Sequence, residues 1–266
     1  ESVDAIGEFC AEEGIDAHYK RDGWLWAATN DSQVDAWNGT AEAAARYQQY
    51  PFERWEPGEV GARSGSTRHQ AGIFEPTAAS VQPAALARGL RQAALARGVK
   101  IFENTPMAKL TSRAKSEVTT PKGRIKAAKV ILALNAWGVR FAPIHRAIMV
   151  ASSDIVITDA MPERLEEMGW RDGMTISDGR MLVHYYRTTR DGRIAFGKGG
   201  INGRWPYGGK IGTKLDGPTQ IADSVLSWLQ WTYPELGQVR SAHSWMGPID
   251  RSTTGLPYFG ALEGQP

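Results

Sequence analysis

Apolar side chains recur along this chain with two different periods. Val3, Ile6, Phe9 and Cys10 share one helix face, and Gly14 supplies a C-terminal stop. Trp24 to Ala27 is a short apolar run after the Asp22-Gly23 turn signal and predicts a strand. Residues from about Gln33 to Tyr50 predict a helix that ends before Pro51. Glu56 to Gly72, rich in Gly, Arg and Ser, predicts mostly loop. Pro83 suits a first helical turn, where its missing N–H costs nothing. Leu86, Leu90 and Ala93 then share a face, and Gly98 closes that helix. Val99 to Phe102 reads as a strand directly after it, and Lys126 to Leu134 as another, apolar without alternation from Val130 onward. An unbroken apolar strand fits a parallel sheet covered by helices on both faces. Helix-then-strand order of this kind predicts an α/β layer.

From about Ala147 the pattern changes. Ile155 to Ile157 predicts a strand. The hairpin signals Asp178-Gly179 and Asp191-Gly192 bracket Met181 to Arg187, and Arg193 to Gly197 follows. That order predicts an antiparallel meander. A helix follows, with Ile221, Val225, Trp228 and Leu229 on one face, ending near Pro234. The predicted fold class is therefore α+β, an α/β portion joined to an antiparallel sheet with helices.

Composition narrows the function. The chain has 266 residues, 42% hydrophobic and 23% charged, ordinary values for a globular protein. A net charge of +2 gives no field that would favour nucleic acid or an anionic membrane. The longest apolar run, Val130 to Leu134, is far short of the roughly 20 residues that span a bilayer. The one cysteine, Cys10, precludes an internal disulfide and points to a reducing, cytoplasmic compartment. Glu1 opens inside a helical pattern, which predicts a cut-out or processed segment. The ten Trp residues point first to core and second to a pocket lining.

Side-chain chemistry is sparse. His18, His69, His145, His184 and His243 are never three or four residues apart and there is no cysteine pair, so a metal site has no support. There is no nucleophile elbow and no P-loop. Gly197, Gly199, Gly200 and Gly203 look like a phosphate loop, but the spacing is wrong and the run follows an antiparallel strand. No carboxylate pair stands out for acid–base work. Either the protein is no enzyme, or a cofactor carries the chemistry while the protein orients the substrate.

Several segments, in this order, favour the second option. They are Val81-Gln82-Pro83 with Leu86; Gly98-Val99 to Met107; Ala128 to Trp137; Tyr185-Tyr186-Arg187 through Asp191-Gly192-Arg193 to Gly197; and Ser244-Trp245-Met246-Gly247 with Gly255-Leu256-Pro257 and Gly260. Together they resemble the flavin-dependent amine oxidases of the D-amino-acid-oxidase superfamily, and among them the γ-glutamylputrescine oxidase-like proteins. The resemblance implies FAD as cofactor and a small-molecule amine as substrate, with no nucleic-acid or membrane partner; oligomeric state stays open. It assigns residues 1–75 and 148–250 to a substrate domain, 76–147 to the FAD-binding domain, and 251–266 to a return towards the latter.

The same resemblance places Met107, Ala133 and Asn135 at the cofactor, although relatives often carry valine at the first and glycine at the last. A plain buried strand and turn is the other reading of those segments. Tyr185, Tyr186 and Trp245 are implied for the substrate pocket. The two tyrosines alternate on a strand, so only one can face it, and Trp245 serves as pocket wall or as core. Glycine-oxidase-like relatives carry a carboxylate-clamping arginine where this chain has Ile249, with Arg251 two residues on. That departure favours an amine or N-substituted amine over a simple amino acid of the glycine or sarcosine type. The strand–G-x-G-x-x-G–helix unit of such enzymes is not in these residues. An internal piece with little FAD affinity and no turnover is therefore expected. Rival readings are an inactive structural fragment, and a cofactor-free module that stacks ligands on exposed Trp24, Trp26 and Trp205.

Overall fold

The computed structural model describes residues 2–111, 116–170, 173–199 and 217–261. Ser2–Glu12 (α1) ends with Gly14 at φ +65°, and Gly23, after the Asp22 turn, takes φ +79° into Trp24–Ala28 (β1). These are angles that glycine alone adopts without cost. The helix expected over Gln33 to Tyr50 is shorter, Asn38–Ala45 (α2), and is preceded by a single 3₁₀ turn, Asp31–Gln33. The expected loop after Glu56 holds a helix, Pro57–Ser64 (α3), between Glu53–Trp55 (β2) and Ala71–Glu75 (β3). Pro57 opens α3, Gly65 ends it at φ +72°, and Val60 and Ser64 are its buried contacts. Pro83–Ala96 (α4) forms where expected. Gln82 caps it through a hydrogen bond from the Ala85 N–H, and Gly98 takes φ +80° after it.

Two expected strands do not form. Val99–Phe102 and Val130–Leu134 are irregular, and Phe102 and Ile131 are 64% and 90% exposed. A strand is defined by backbone partners, and among the described residues no segment pairs with either. Lys109–Thr111 (β4), Ser116–Thr120 (β5) and Gly123–Ala127 (β6) make a small antiparallel sheet instead. The start of the predicted Lys126–Leu134 strand thus survives only as the end of β6. The α+β class stands, with the antiparallel component dominant.

Ile148–Thr158 (β7) follows Ala142–His145 (α5), and Pro162–Glu167 (α6) follows β7. The meander is Thr175–Asp178 (β8), His184–Thr188 (β9) and Ile194–Gly199 (β10), with Gly192 at φ +75° in the second turn. Ala222–Thr232 (α7) and Ser241–Ser252 (β11) complete the fold. One eight-stranded sheet runs β11-β7-β10-β9-β8-β1-β3-β2. Among the described residues its one parallel pair, β1 with β8, joins three early strands to five late ones.

Strand alternation gives this sheet two different faces. Leu25, Ile176, Tyr186, Phe196 and Val156 point to one side, where Val225, Leu229 and Tyr233 close the main core with Trp170. Burial of each such side chain contributes about 1.5–3 kcal/mol. The other side carries a register row: Trp26 opposite Ser177, then Tyr185, Gly197, Ile155 and Trp245.

Candidate functional site

On that second face lies a cavity of about 690 Å³, within the size range of ligand and cofactor sites. Tyr185 of β9, Ser153 of β7 and Ile249 and Arg251 of β11 reach it from the sheet. Leu132 to Asn135 line it from the irregular segment, and Met181 to Val183 from the β8–β9 turn. The segment after β11, from Gly255 to Tyr258, adds a further wall. Most of these side chains are apolar. Asn135, Ser153, Tyr185, Asp250 and Arg251 supply the main polar groups.

Tyr185 lies flat across β10, a position that glycine permits. A Cβ built at Gly197 would stand 2.3 Å from a Tyr185 ring carbon. The ring therefore crosses one strand and places its hydroxyl in a hydrogen bond with the Ser153 hydroxyl on the next. Burial pushes the Tyr185 phenol up, partly offset by the Ser153 hydrogen bond. It stays protonated near neutrality and can orient a ligand, but it is no base. Asn135 has φ +49° and starts a 3₁₀ helix, Asn135–Arg140, its side-chain oxygen accepting from the Ala136 N–H. Asn is among the few residues other than glycine that take such an angle readily.

Of the residues expected at the site, Tyr185, Ala133 and Asn135 share this cavity. Tyr186 points the other way. It is 3% exposed, stacks on Phe196 with ring centres 5.0 Å apart, and sets its hydroxyl 2.6 Å from His69 Nε2. His69 Nδ1 is in turn 2.6 Å from the Ser64 hydroxyl. Tyr186 is thus a core residue closing a buried polar chain. Tyr186→Phe removes the partner of one ring nitrogen and is expected to cost about 1–3 kcal/mol in urea denaturation. Met107 is half-buried ahead of β4, and Trp245 is 41% exposed on β11; neither lines the cavity. Ser153 and the Met181–Val183 run were missed from the sequence. The one signal for the run was an apolar triplet just after Asp178-Gly179-Arg180, where a turn should be polar; Ser153 gave no signal.

Trp24 and Trp26 are half-buried beside the meander, stacked with centroids 5.8 Å apart, and the Trp24 indole N–H donates to Ser177 Oγ at 2.9 Å. Trp205, Gly200 and Gly203 lie outside the described residues. Among the described residues no cluster of His, Cys, Asp and Glu suits a metal ion, and no helix is long and apolar enough to cross a membrane.

Comparison with known proteins agrees with this architecture. The chain is 25% identical over 270 residues to the probable oxidoreductase OrdL of Haemophilus influenzae. It is also 25% identical over 265 residues to the gamma-glutamylputrescine oxidoreductase of Escherichia coli. The alignments cover 98% and 99% of this chain but 59% of each relative, so the chain spans a little over half their length. Among solved structures, glycine oxidase from Geobacillus kaustophilus superposes with a TM-score of 0.77 at 18% identity, covering 99% of this chain and 69% of that one. L-proline dehydrogenase from P. horikoshii gives 0.78 at 21% identity, covering 98% and 68%. The profile described as FAD dependent oxidoreductase, DAO, matches residues 1–266. This chain belongs to the DAO family of FAD-dependent oxidoreductases.

Proposed function

We propose that the chain is part of an enzyme that oxidises the C–N bond of an amine or N-substituted amine to an imine, with a substrate of the γ-glutamylputrescine kind. The observation that carries this is the shared cavity. Leu132–Asn135 and Tyr185, far apart in sequence, are adjoining walls of one largely apolar space. The residues fit a flavin there in size and in chemistry. The 690 Å³ volume suits a cofactor-sized ligand, and Ala133 and Asn135 would hold it. Residues 76–147 and 251–266 then form part of the FAD-binding domain, and 1–75 and 148–250 the substrate domain. When bound, FAD supplies the electron acceptor.

The chain's own residues bind and orient. Apolar walls keep water from a neutral amine. The Tyr185 and Ser153 hydroxyls offer hydrogen bonds to its polar end. No described side chain is required as a base. The single, buried Cys10 suits a cytoplasmic setting. Because the chain has no strand–G-x-G-x-x-G–helix unit, the 266 residues alone bind FAD weakly and do not turn over. Stoichiometric flavin absorbance on the purified chain would contradict the weak binding.

A second reading rests on Arg251, which lines the cavity although it sits two residues past Ile249. In that reading it meets the carboxylate of an amino acid. The full-length protein separates the two when offered γ-glutamylputrescine, glycine, sarcosine and proline. The amine is expected to give the highest kcat/KM, and Arg251→Ala to leave it within about threefold. A clear preference for glycine or sarcosine, with a loss of about 100-fold in the Arg251→Ala variant, would establish the amino-acid reading instead.

A further inference from the structure

The turn between β8 and β9 sets Met181, Leu182 and Val183 in a row on the cavity. Met181 is 86% exposed and Leu182 and Val183 are only half-buried, so burial alone does not fix the run. A single carboxylate does. Asp178, buried at the end of β8, accepts through Oδ1 from the backbone N–H of Arg180 at 3.2 Å and of His184 at 3.0 Å. Its Oδ2 is paired with the Arg180 guanidinium. Both ends of the turn are thus tied to one side chain. The guanidinium also lies 5.1 Å and 5.3 Å from ring centres of Trp228 and Trp231 on α7, which anchors it across the sheet from the cavity.

We infer that Asp178 is a positioning residue for the cavity: through Arg180 and the His184 amide it fixes the Met181–Val183 wall, against which the apolar part of an amine substrate is aligned. The inference rests on the proposed reading of the cavity as the site of amine oxidation. A loose wall would have to be ordered by each substrate, which weakens binding. A clamped wall is ordered beforehand. Only a carboxylate serves here, because two amides and a guanidinium need two accepting oxygens.

The test uses the full-length flavoprotein with γ-glutamylputrescine as probe. Asp178→Asn keeps the side-chain size but gives up one acceptor and the charge. Trypsin is expected to cut after Arg180 about tenfold faster in this variant than in wild type. Asp191→Asn, on the neighbouring turn, should leave that cut unchanged. KM should rise about tenfold with kcat within about threefold, and the spectrum of the substrate-free flavin should not move. Leu182→Ala keeps the clamp and should raise KM without faster cleavage, which decides the wall's role even if Asp178→Asn does not fold. Unchanged cleavage in Asp178→Asn overturns the clamp. Faster cleavage with unchanged KM, or unchanged KM in Leu182→Ala, overturns the wall. If wild type oxidises none of the amines, the reading of the cavity fails, and the trypsin result still decides whether Asp178 holds the turn.

Discussion

Acidification from neutrality to about pH 4.5 is expected to remove about 4–5 kcal/mol of stability through two histidines. His69 and His184 are both buried, and each is held down to about 3 from the ordinary 6.5. Burial is the leading cause at both. At His184 the charges of Arg180 and Lys198 add to it, while at His69 Glu235 acts weakly in the opposite direction. The Asp178 carboxylate, 3.6 Å from the His184 ring, is already taken by Arg180. The unfolded chain takes up these protons near pH 6.5, whereas the folded chain refuses them until about 3. Between those values the unfolded state holds more protons, so stability falls as pH falls. Each unit costs about 1 kcal/mol per histidine.

Partnered carboxylates titrate lower. Glu13 is held down by its Arg97 hydrogen bond, Asp16 by Arg190, and Asp191 by Thr189 and Arg193. The span from about 6.5 to 4.5 therefore reports mainly on the histidines. Urea denaturation at three pH values in that span gives the slope, and His69→Gln should roughly halve it. A flat profile would mean that these rings are protonated in the folded protein.

Gly197→Val should damage the site most among single changes on the sheet. The new Cβ would meet the Tyr185 ring at 2.3 Å, closer than any real contact. Either the ring leaves Ser153 or β10 shifts, and overpacking of this kind costs about 1–3 kcal/mol. Since the ring is one wall of the cavity, displacement by an ångström should lower kcat/KM of the full-length enzyme by about 100-fold. Gly247→Ala on β11 is the control. Nothing lies within 4 Å of a Cβ there, and its effect should stay within about 0.5 kcal/mol.

What could be read from the sequence was local. Asp22-Gly23 and Asp191-Gly192 became turns because glycine at those places takes positive φ. The α4 and α7 helices followed from periodic apolar faces. What failed depended on distant partners. Val130–Leu134 has the side chains of a buried strand, but side chains do not supply the neighbouring backbone. The α3 helix was hidden because Gly58 and Gly61 lower its helix propensity and it buries only Val60 and Ser64. At the site, the choice of Tyr185 over Tyr186 for the cavity rests on strand parity relative to a core that is assembled later in the chain. Gly197 and Ser153 matter only because register brings them beside Tyr185. His69 and Tyr186, 117 positions apart, show no spacing signal at all.

The parallel seam between β1 and β8 also sets a timetable for the ribosome. Trp24 waits for Ser177, 153 positions later, and at about 5–20 residues per second that delay lasts roughly eight to thirty seconds. Throughout it the nascent chain carries β1 with an unpaired edge and two tryptophans beside it. A newly made strand in that state is a natural client for a holding chaperone, and slower translation upstream of β8 would lengthen its exposure.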